Sequence, residues 1–208
     1  MSERYDDPID PLTDVDLAVD KVEDVALPDE VEPEAVEPDA PAEHLGGDFR
    51  VPDGYTALEG VPHGARRAVG VVVSRFNGAV TSRLLDSALA ELEEAGVSRD
   101  AITVMPVPGA FELPLAAMAL AKTRRYAAIV ALGCVIRGET PHFDYVAGEA
   151  ASGLQLAALE TGVPVSFGLL TLESADQADA RIGKGAEAVR TALEMADVFA
   201  QLRAAAAR

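Results

Sequence analysis

Residues 133–145 carry side chains that could exchange protons and hold an anion. The stretch reads GCVIRGETPHFDY and contains Glu139, Thr140 and His142. A histidine has an unperturbed pKa of about 6.5, so it can take up or release a proton near neutrality. Thr140 and the backbone N–H groups around Gly138, beside a predicted helix start, suit a phosphate. A lone histidine is more often structural, but its place in this loop favours proton transfer beside a bound anion.

Two other loops follow predicted strands and add an aromatic ring and a carboxylate. The first reads SRFN at residues 74–77, and the second reads PGAFE at residues 108–112. Phe76 lies in a turn, where it either plugs the core or stacks on a flat heterocycle. Glu112 lies at a predicted helix start, where a carboxylate also caps the helix dipole, and capping alone is the commoner role.

Basic residues beyond the last predicted strand offer a second way to hold an anion. Arg181 and Lys184 lie beside Gly183 and Gly185, and their cationic groups can make charge-assisted hydrogen bonds to a phosphate. The alternative is a solvated basic patch. The triplet Gly-Lys-Gly is itself a weak signal, because a Walker A loop needs a longer spacing.

Apolar periodicity predicts the elements that must position these side chains. Continuous β-branched and apolar runs predict buried strands, and apolar residues at i, i+3 and i+4 predict helices. The predicted strands are 71–73, 102–107, 127–132 and 163–170, and the helical segments are 84–95, 113–122, 144–160, 175–181 and 184–202. The alternation predicts an α/β fold: a three-layer α/β/α sandwich, flavodoxin-like, with a four-stranded parallel sheet flanked by helices. Because ligands bind at the carboxyl ends of such strands, the loops above should meet at one edge.

Charge divides the chain into regions. Its formal net charge is -18, and residues 1–60 hold 19 acidic and 3 basic residues. We predict an acidic disordered N-terminal arm at 1–44, because its like charges repel and its prolines interrupt helices. The arm either aids solubility or docks on a basic partner surface. Residues 45–66 form a transitional segment, in which 49–51 could be an edge strand that pairs with a neighbouring subunit, and residues 67–208 form the α/β domain.

Composition also excludes several classes of function. The globular part is nearly neutral, which argues against nucleic-acid binding, and no apolar run approaches the roughly 20 residues of a membrane span. No secretory signal is evident at the N-terminus. The single cysteine, Cys134, cannot form an intramolecular disulfide; we expect it to be packed rather than reactive, and we expect a cytoplasmic location. No histidine–carboxylate cluster has metal-ligand spacing.

Several strings together resemble the lumazine synthase family. They are SRFN at 74–77, VPGAFELP at 107–114, ALGCVIRGETPHFDYV at 131–146, ETGVPVSFG at 160–168 and ALEMA at 192–196. The resemblance implies condensation of 5-amino-6-(D-ribitylamino)uracil with 3,4-dihydroxy-2-butanone 4-phosphate. The expected products are 6,7-dimethyl-8-ribityllumazine, phosphate and water, as a step of riboflavin biosynthesis. It also implies that no metal or organic cofactor takes part.

The same resemblance implies a role for each site residue. His142 is the implied catalytic residue for proton transfer, and Phe76 is expected to stack on the pyrimidine. The other expected substrate contacts are Asn77, Ala110, Phe111, Glu112, Cys134, Val135, Ile136 and Phe167. The expected phosphate contacts are Glu139, Thr140, Arg181 and Lys184.

Assembly and one departure from the family remain open at this stage. The resemblance implies a homopentamer with sites between subunits, so that Phe167 comes from the adjacent subunit. It leaves open whether pentamers build a sixty-subunit shell and whether the protein associates with riboflavin synthase. Residues 180–185 form a connection about five residues shorter than the family usually carries, which puts the phosphate-binding geometry in question.

Two functions other than catalysis compete with this interpretation. One is a non-enzymatic pentameric or shell-forming scaffold that binds a flavin-like ligand, which the short connection favours. The other is a flavodoxin-like domain that binds flavin mononucleotide without turnover. Retention of Phe76, Glu112, Thr140, His142 and Arg181 favours the enzyme.

Overall fold

The computed structural model describes residues 49–206, which contain four strands, four α-helices and three short 3-10 segments. In chain order the main elements are β1 (Val69–Ser74), α1 (Gly78–Glu94), β2 (Ile102–Val107), α2 (Leu113–Lys122), β3 (Ala128–Ile136), α3 (His142–Thr161), β4 (Val165–Leu172) and α4 (Lys184–Ala206). The 3-10 segments are Arg99–Ala101, Ala110–Glu112 and Ala175–Arg181. The acidic arm predicted at 1–44 lies outside the described residues.

The four strands form one parallel sheet in the order β2-β1-β3-β4. At its centre, Val71 of β1 pairs with Val104 on one side and Val130 on the other. Every residue of β1 is buried, as expected for a strand that helices cover on both faces. The predicted four-stranded parallel sheet is confirmed.

Two helices cover each face of the sheet. Val71 and Val73 pack in the core that α1 and α4 complete, whereas Val72 packs in the core of α2 and α3. Successive strand side chains point to opposite faces, so one β-branched run supplies both cores. The predicted three-layer α/β/α sandwich is therefore confirmed.

Strand β3 ends four residues later than the apolar run predicted. The sequence placed its end at Leu132, yet Cys134, Val135 and Ile136 continue to pair with β4. Gly133 does not end the strand; a Cβ there would lie 2.6 Å from Leu169 Cδ1, so the glycine serves close packing between strands. The predicted loop is correspondingly shorter. Helix α3 begins at His142, two residues before the predicted start.

The segment before β1 has no strand or helix, but a buried carboxylate ties it to α4. Asp197 accepts hydrogen bonds from Arg67, Gln201 and the Val61 backbone N–H, the last two at 2.9 and 3.1 Å. The Arg67 guanidinium, followed by the other two donors, holds the pKa of Asp197 well below its usual range. In the single chain residues 49–51 are irregular, so an edge strand that pairs with another subunit stays a prediction.

Within residues 49–206 no helix combines the length and the apolar character that crossing a membrane requires.

Candidate active site

A cavity of about 630 Å³ opens at the carboxyl edge of the sheet, where three loops meet. This volume is in the range of small-molecule sites. The cavity is lined by Phe76, Gly109, Ala110, Phe111, Glu112, Cys134, Val135, Ile136, Gly138, Thr140, His142, Phe143, Tyr145 and Val146. The lining therefore brings together residues from all three loops that the sequence singled out.

The loop after β1 presents the Phe76 ring to the cavity while its backbone is held on both sides. The Phe76 N–H donates to the Pro108 carbonyl at 3.0 Å. Asn77 adopts the left-handed conformation, with φ 55°, and its Nδ2 donates to the Cys134 carbonyl at 2.9 Å. Asn77 thus links the start of α1 to β3 and leaves the Phe76 side chain 70% exposed, available to stack on a planar ligand.

The loop after β2 fixes a carboxylate on the cavity wall. Glu112 Oε2 accepts a hydrogen bond from the Gly109 N–H at 2.9 Å, so the side chain caps its own 3-10 segment. Glu112 also lines the cavity, so capping and ligand contact are compatible roles. Helix α2 then begins with Pro114 in its first turn, and a Cβ at Gly153 of α3 would lie 2.6 Å from the Pro114 Cβ.

Arg137 stabilises the loop after β3 through contacts with three side chains. Its guanidinium bonds to Glu173 at 2.7 Å and to Asp144 at 3.0 Å, and it lies 4.1 Å from the centroid of the Phe143 ring. Hydrogen bonds to Asp144 and then Glu173 raise the pKa of Arg137, which stays charged. Because Asp144 and Phe143 belong to the first turn of α3, these contacts fix the backbone that carries His142.

Cys134 forms part of the cavity wall as a buried thiol. The residue is 2% exposed, and burial raises the pKa of its thiol to about 11. A thiol with that pKa is protonated at neutrality, which agrees with the expectation that Cys134 is packed rather than reactive. Within residues 49–206, no group of three His, Cys, Asp or Glu side chains has a geometry that could hold a metal ion.

Five predicted site residues lie outside the cavity of the single chain. Arg181 Nη1 donates to the Gln177 carbonyl at 3.0 Å, and Lys184 Nζ forms an ion pair with Glu187 at 2.8 Å. Phe167 lies on the edge strand β4 and is 50% exposed. The other two are Asn77, which acts through its bond to Cys134, and Glu139.

Gly109, Phe143, Tyr145 and Val146 line the cavity without having been predicted. Tyr145 and Val146 follow His142 by three and four residues, so the three side chains share one face of α3. The sequence shows this spacing, but it points to these residues only if α3 begins at His142. Phe143 has no comparable signal in the sequence. Its position depends on the contact of its ring with the Arg137 guanidinium, which no local pattern reveals.

Comparison with known proteins gives one consistent family. The profile of 6,7-dimethyl-8-ribityllumazine synthase matches residues 66–200. Proteins named 6,7-dimethyl-8-ribityllumazine synthase from Yersinia pestis (strain Pestoides F) and Yersinia pseudotuberculosis (serotype O:1b, strain IP 31758) are each 51% identical over 152 residues. Each alignment covers 70% of this chain and 97% of the relative. The matched region contains every residue that lines the cavity.

Proposed function

The chain belongs to the 6,7-dimethyl-8-ribityllumazine synthase family, and we propose that its residues perform the family's reaction at the cavity between the three loops. The enzyme condenses 5-amino-6-(D-ribitylamino)uracil with 3,4-dihydroxy-2-butanone 4-phosphate to 6,7-dimethyl-8-ribityllumazine in riboflavin biosynthesis. The single observation that carries this assignment is 51% identity over nearly the whole length of named lumazine synthases. This match favours catalysis over a non-enzymatic scaffold or a flavin mononucleotide carrier.

The aromatic and apolar wall binds the planar substrate. Phe76 stacks on the pyrimidine ring, since its exposed side chain extends from a loop held by two hydrogen bonds. Glu112 is held at the wall by Gly109 and contacts the polar groups of this substrate. Ala110, Phe111, Val135 and Ile136 supply apolar surface around them. Positioning of two substrates that already react together accounts for a large part of the acceleration.

His142 moves protons in each chemical step. The 5-amino nitrogen attacks the ketone carbon, and the carbonyl oxygen leaves as water to give a Schiff base. Loss of a proton from the carbon beside the imine then accompanies breakage of the C–O bond to phosphate, and the enol that results becomes a ketone. The second amine adds to this carbonyl and closes the ring as a second water leaves. An imidazole can both accept and donate a proton, which suits these transfers. His142 is exposed to the cavity at the first position of α3, which supports this role.

A neighbouring subunit completes the anion site. Arg181, Lys184 and Phe167 lie away from the cavity of their own chain, which supports their supply to the cavity of another. Arg181 stabilises the departing phosphate together with the Thr140 hydroxyl and the backbone N–H of Glu139 on the first chain, since the Glu139 carboxylate itself would repel the anion. In one chain Lys184 is paired with Glu187, so it joins the site only if that half-buried ion pair opens.

Exposed apolar side chains support self-association. Leu115 on α2 is 75% exposed, and Leu156 and Leu159 on α3 are 52% and 75% exposed. Large apolar groups of this kind mark interaction surfaces when they form a patch. We propose a homopentamer. A sixty-subunit shell, association with riboflavin synthase, a cytoplasmic location, the absence of a cofactor and the division at 44 and 66 stay predictions from the sequence.

Turnover tests the assignment. Purified full-length protein mixed with both substrates should produce lumazine absorbance at a rate proportional to enzyme concentration. His142→Ala should slow that rate by about 10- to 100-fold, at the low end of general acid–base effects because the substrates react unaided. A wild-type rate equal to the background would refute the function, whereas a normal rate in His142→Ala would refute only the role of this residue.

A further inference from the structure

A second cleft, distinct from the active-site cavity, lies at the amino-terminal ends of the parallel strands. It has a volume of about 320 Å³. Its border includes Ala68, Ala127 and Pro164, each of which directly precedes a strand: β1, β3 and β4, respectively. The catalytic loops leave the other ends of these strands. No residue of this cleft takes part in the reaction described above.

The walls of this cleft are strongly basic. Five arginines line it: Arg66, Arg67, Arg124, Arg125 and Arg203. The whole chain has only 17 Lys and Arg residues against 35 Asp and Glu, so this concentration of positive charge runs against the overall composition. No acidic residue lines the cleft in the part of the chain that the structure describes. A general excess of basic residues therefore does not explain it.

Two of these arginines have internal partners and three do not. Arg67 is paired with Asp197, and Arg124 Nη1 donates to the Thr161 carbonyl at 2.5 Å. Arg66, Arg125 and Arg203 are exposed, and across residues 49–206 none of the three has a carboxylate within ion-pair distance. Neighbouring guanidinium groups repel one another unless a counter-charge is present. Three donor groups thus remain available to an anion.

The backbone at the cleft carries unusual conformations. Among the described residues, three other than glycine have positive φ: Arg66 at 64°, Arg124 at 58° and Asn77 at 55°. Such conformations cost free energy in a residue with a Cβ and concentrate where function requires a particular geometry. Asn77 lies beside the active site, and the other two both lie in the arginine cleft. The cleft thus shares this feature with the candidate active site.

We propose that this cleft is a binding site for a small anion that carries two or more phosphate groups. Guanidinium groups are planar forks that pair with phosphate oxygens through two parallel hydrogen bonds. Three such groups from separate segments, in a concave site of this volume, match several phosphates better than one. The expected ligand class is a polyphosphate or a polyphosphorylated metabolite, and binding is independent of the catalytic reaction.

Calorimetric titration with inorganic tripolyphosphate tests the proposal. The full-length chain with Arg181→Ala and Lys184→Ala is used, so that phosphate contacts of the active site are removed. We expect one bound tripolyphosphate per chain. Adding Arg66→Ser, Arg125→Ser and Arg203→Ser should weaken binding at least about tenfold, because each lost guanidinium removes charge-assisted hydrogen bonds. The single change Arg125→Ser should weaken it at least about threefold and guards against misfolding of the multiple variant.

A matched control separates a built site from general electrostatic attraction. Arg50→Ser, Arg83→Ser and Arg99→Ser remove the same number of exposed arginines outside the cleft. These changes should leave the tripolyphosphate affinity within about twofold. Absence of binding to the Arg181→Ala/Lys184→Ala chain, or equal weakening by the control changes, would overturn the proposal. The cleft variant with intact Arg181 and Lys184 should retain wild-type kcat/KM.

Discussion

Replacing Gly185 by alanine should separate α4 from α1 and disturb Arg181 and Lys184, which we propose bind the anion. A Cβ at Gly185 would lie 2.4 Å from the Leu84 carbonyl oxygen and 3.2 Å from the Ser87 Cβ. The closer neighbour is backbone in the middle of α1 and cannot rotate away. The start of α4 must therefore move by about 1 Å to reach an ordinary contact distance.

The expected stability loss follows from two opposing effects. Forcing an extra methyl group into a packed interface costs about 1–3 kcal/mol, and contact with buried backbone lies at the upper end. Alanine recovers about 1 kcal/mol through its higher helix propensity. We therefore expect the free energy of unfolding to fall by about 2 kcal/mol, measured by urea unfolding at one protein concentration.

Gly183→Ala is the matched control for this substitution. Gly183 lies two residues away, is exposed, and has no atom within 4 Å of the position that a Cβ would take. It should change stability by less than about 0.5 kcal/mol. Gly185→Ala should also raise KM for the butanone phosphate, because Arg181 and Lys184 flank the displaced turn. Equal effects of the two changes on stability and KM would refute this account of the Gly-Lys-Gly triplet as a packing element.

Three further predictions concern the thiol, the buried carboxylate and the arm. Iodoacetamide should label Cys134 slowly at pH 7.5 in the folded protein and rapidly in urea, since burial raises its pKa to about 11; rapid labelling of the native form would contradict this. Asp197→Asn should lower the free energy of unfolding by about 3 kcal/mol at pH 7. Because the pKa of Asp197 is depressed in the folded state, its carboxylate stabilises the fold fully above the unfolded pKa of about 3.9 and progressively less as the pH falls through the folded value. The difference in unfolding free energy between the wild type and Asp197→Asn must therefore shrink on acidification. Deletion of residues 1–44 should leave kcat/KM and oligomer mass unchanged, and dissociation of the oligomer would assign the arm a structural role.

The main elements were predictable because each has a local signal. The β-branched run at Val71–Val73 is buried on both faces of the sheet, and such runs signal a central strand. The apolar residues of α2 recur at helical spacing because they are buried on one face of the helix. The predicted bounds of β2 and α2 matched the structure. The end of β3 was wrong because Gly133 resembles a terminator, although its close contact with Leu169 in the next strand is what requires a glycine.

The candidate site was predictable as a meeting of loops but not as a set of contacts. Parallel topology alone places Phe76, Glu112 and His142 at one edge of the sheet. The ion pair between Arg137 and Glu173 joins residues from separate segments, so no periodic pattern could reveal it. Nor could the sequence alone decide that Arg181 lies away from the cavity of its own chain, because its side-chain direction depends on the 3-10 segment before α4.

The central claim is that each catalytic cavity is completed by the anion-binding residues of a neighbouring subunit. It is tested by co-refolding equal amounts of His142→Ala and Arg181→Ala chains, each of which should be strongly impaired alone, and measuring lumazine formation. Random mixing around a cyclic oligomer leaves about a quarter of the sites with both residues intact, so the account predicts about a quarter of wild-type activity. A mixture no more active than its separate components, although mixed oligomers have formed, would contradict it.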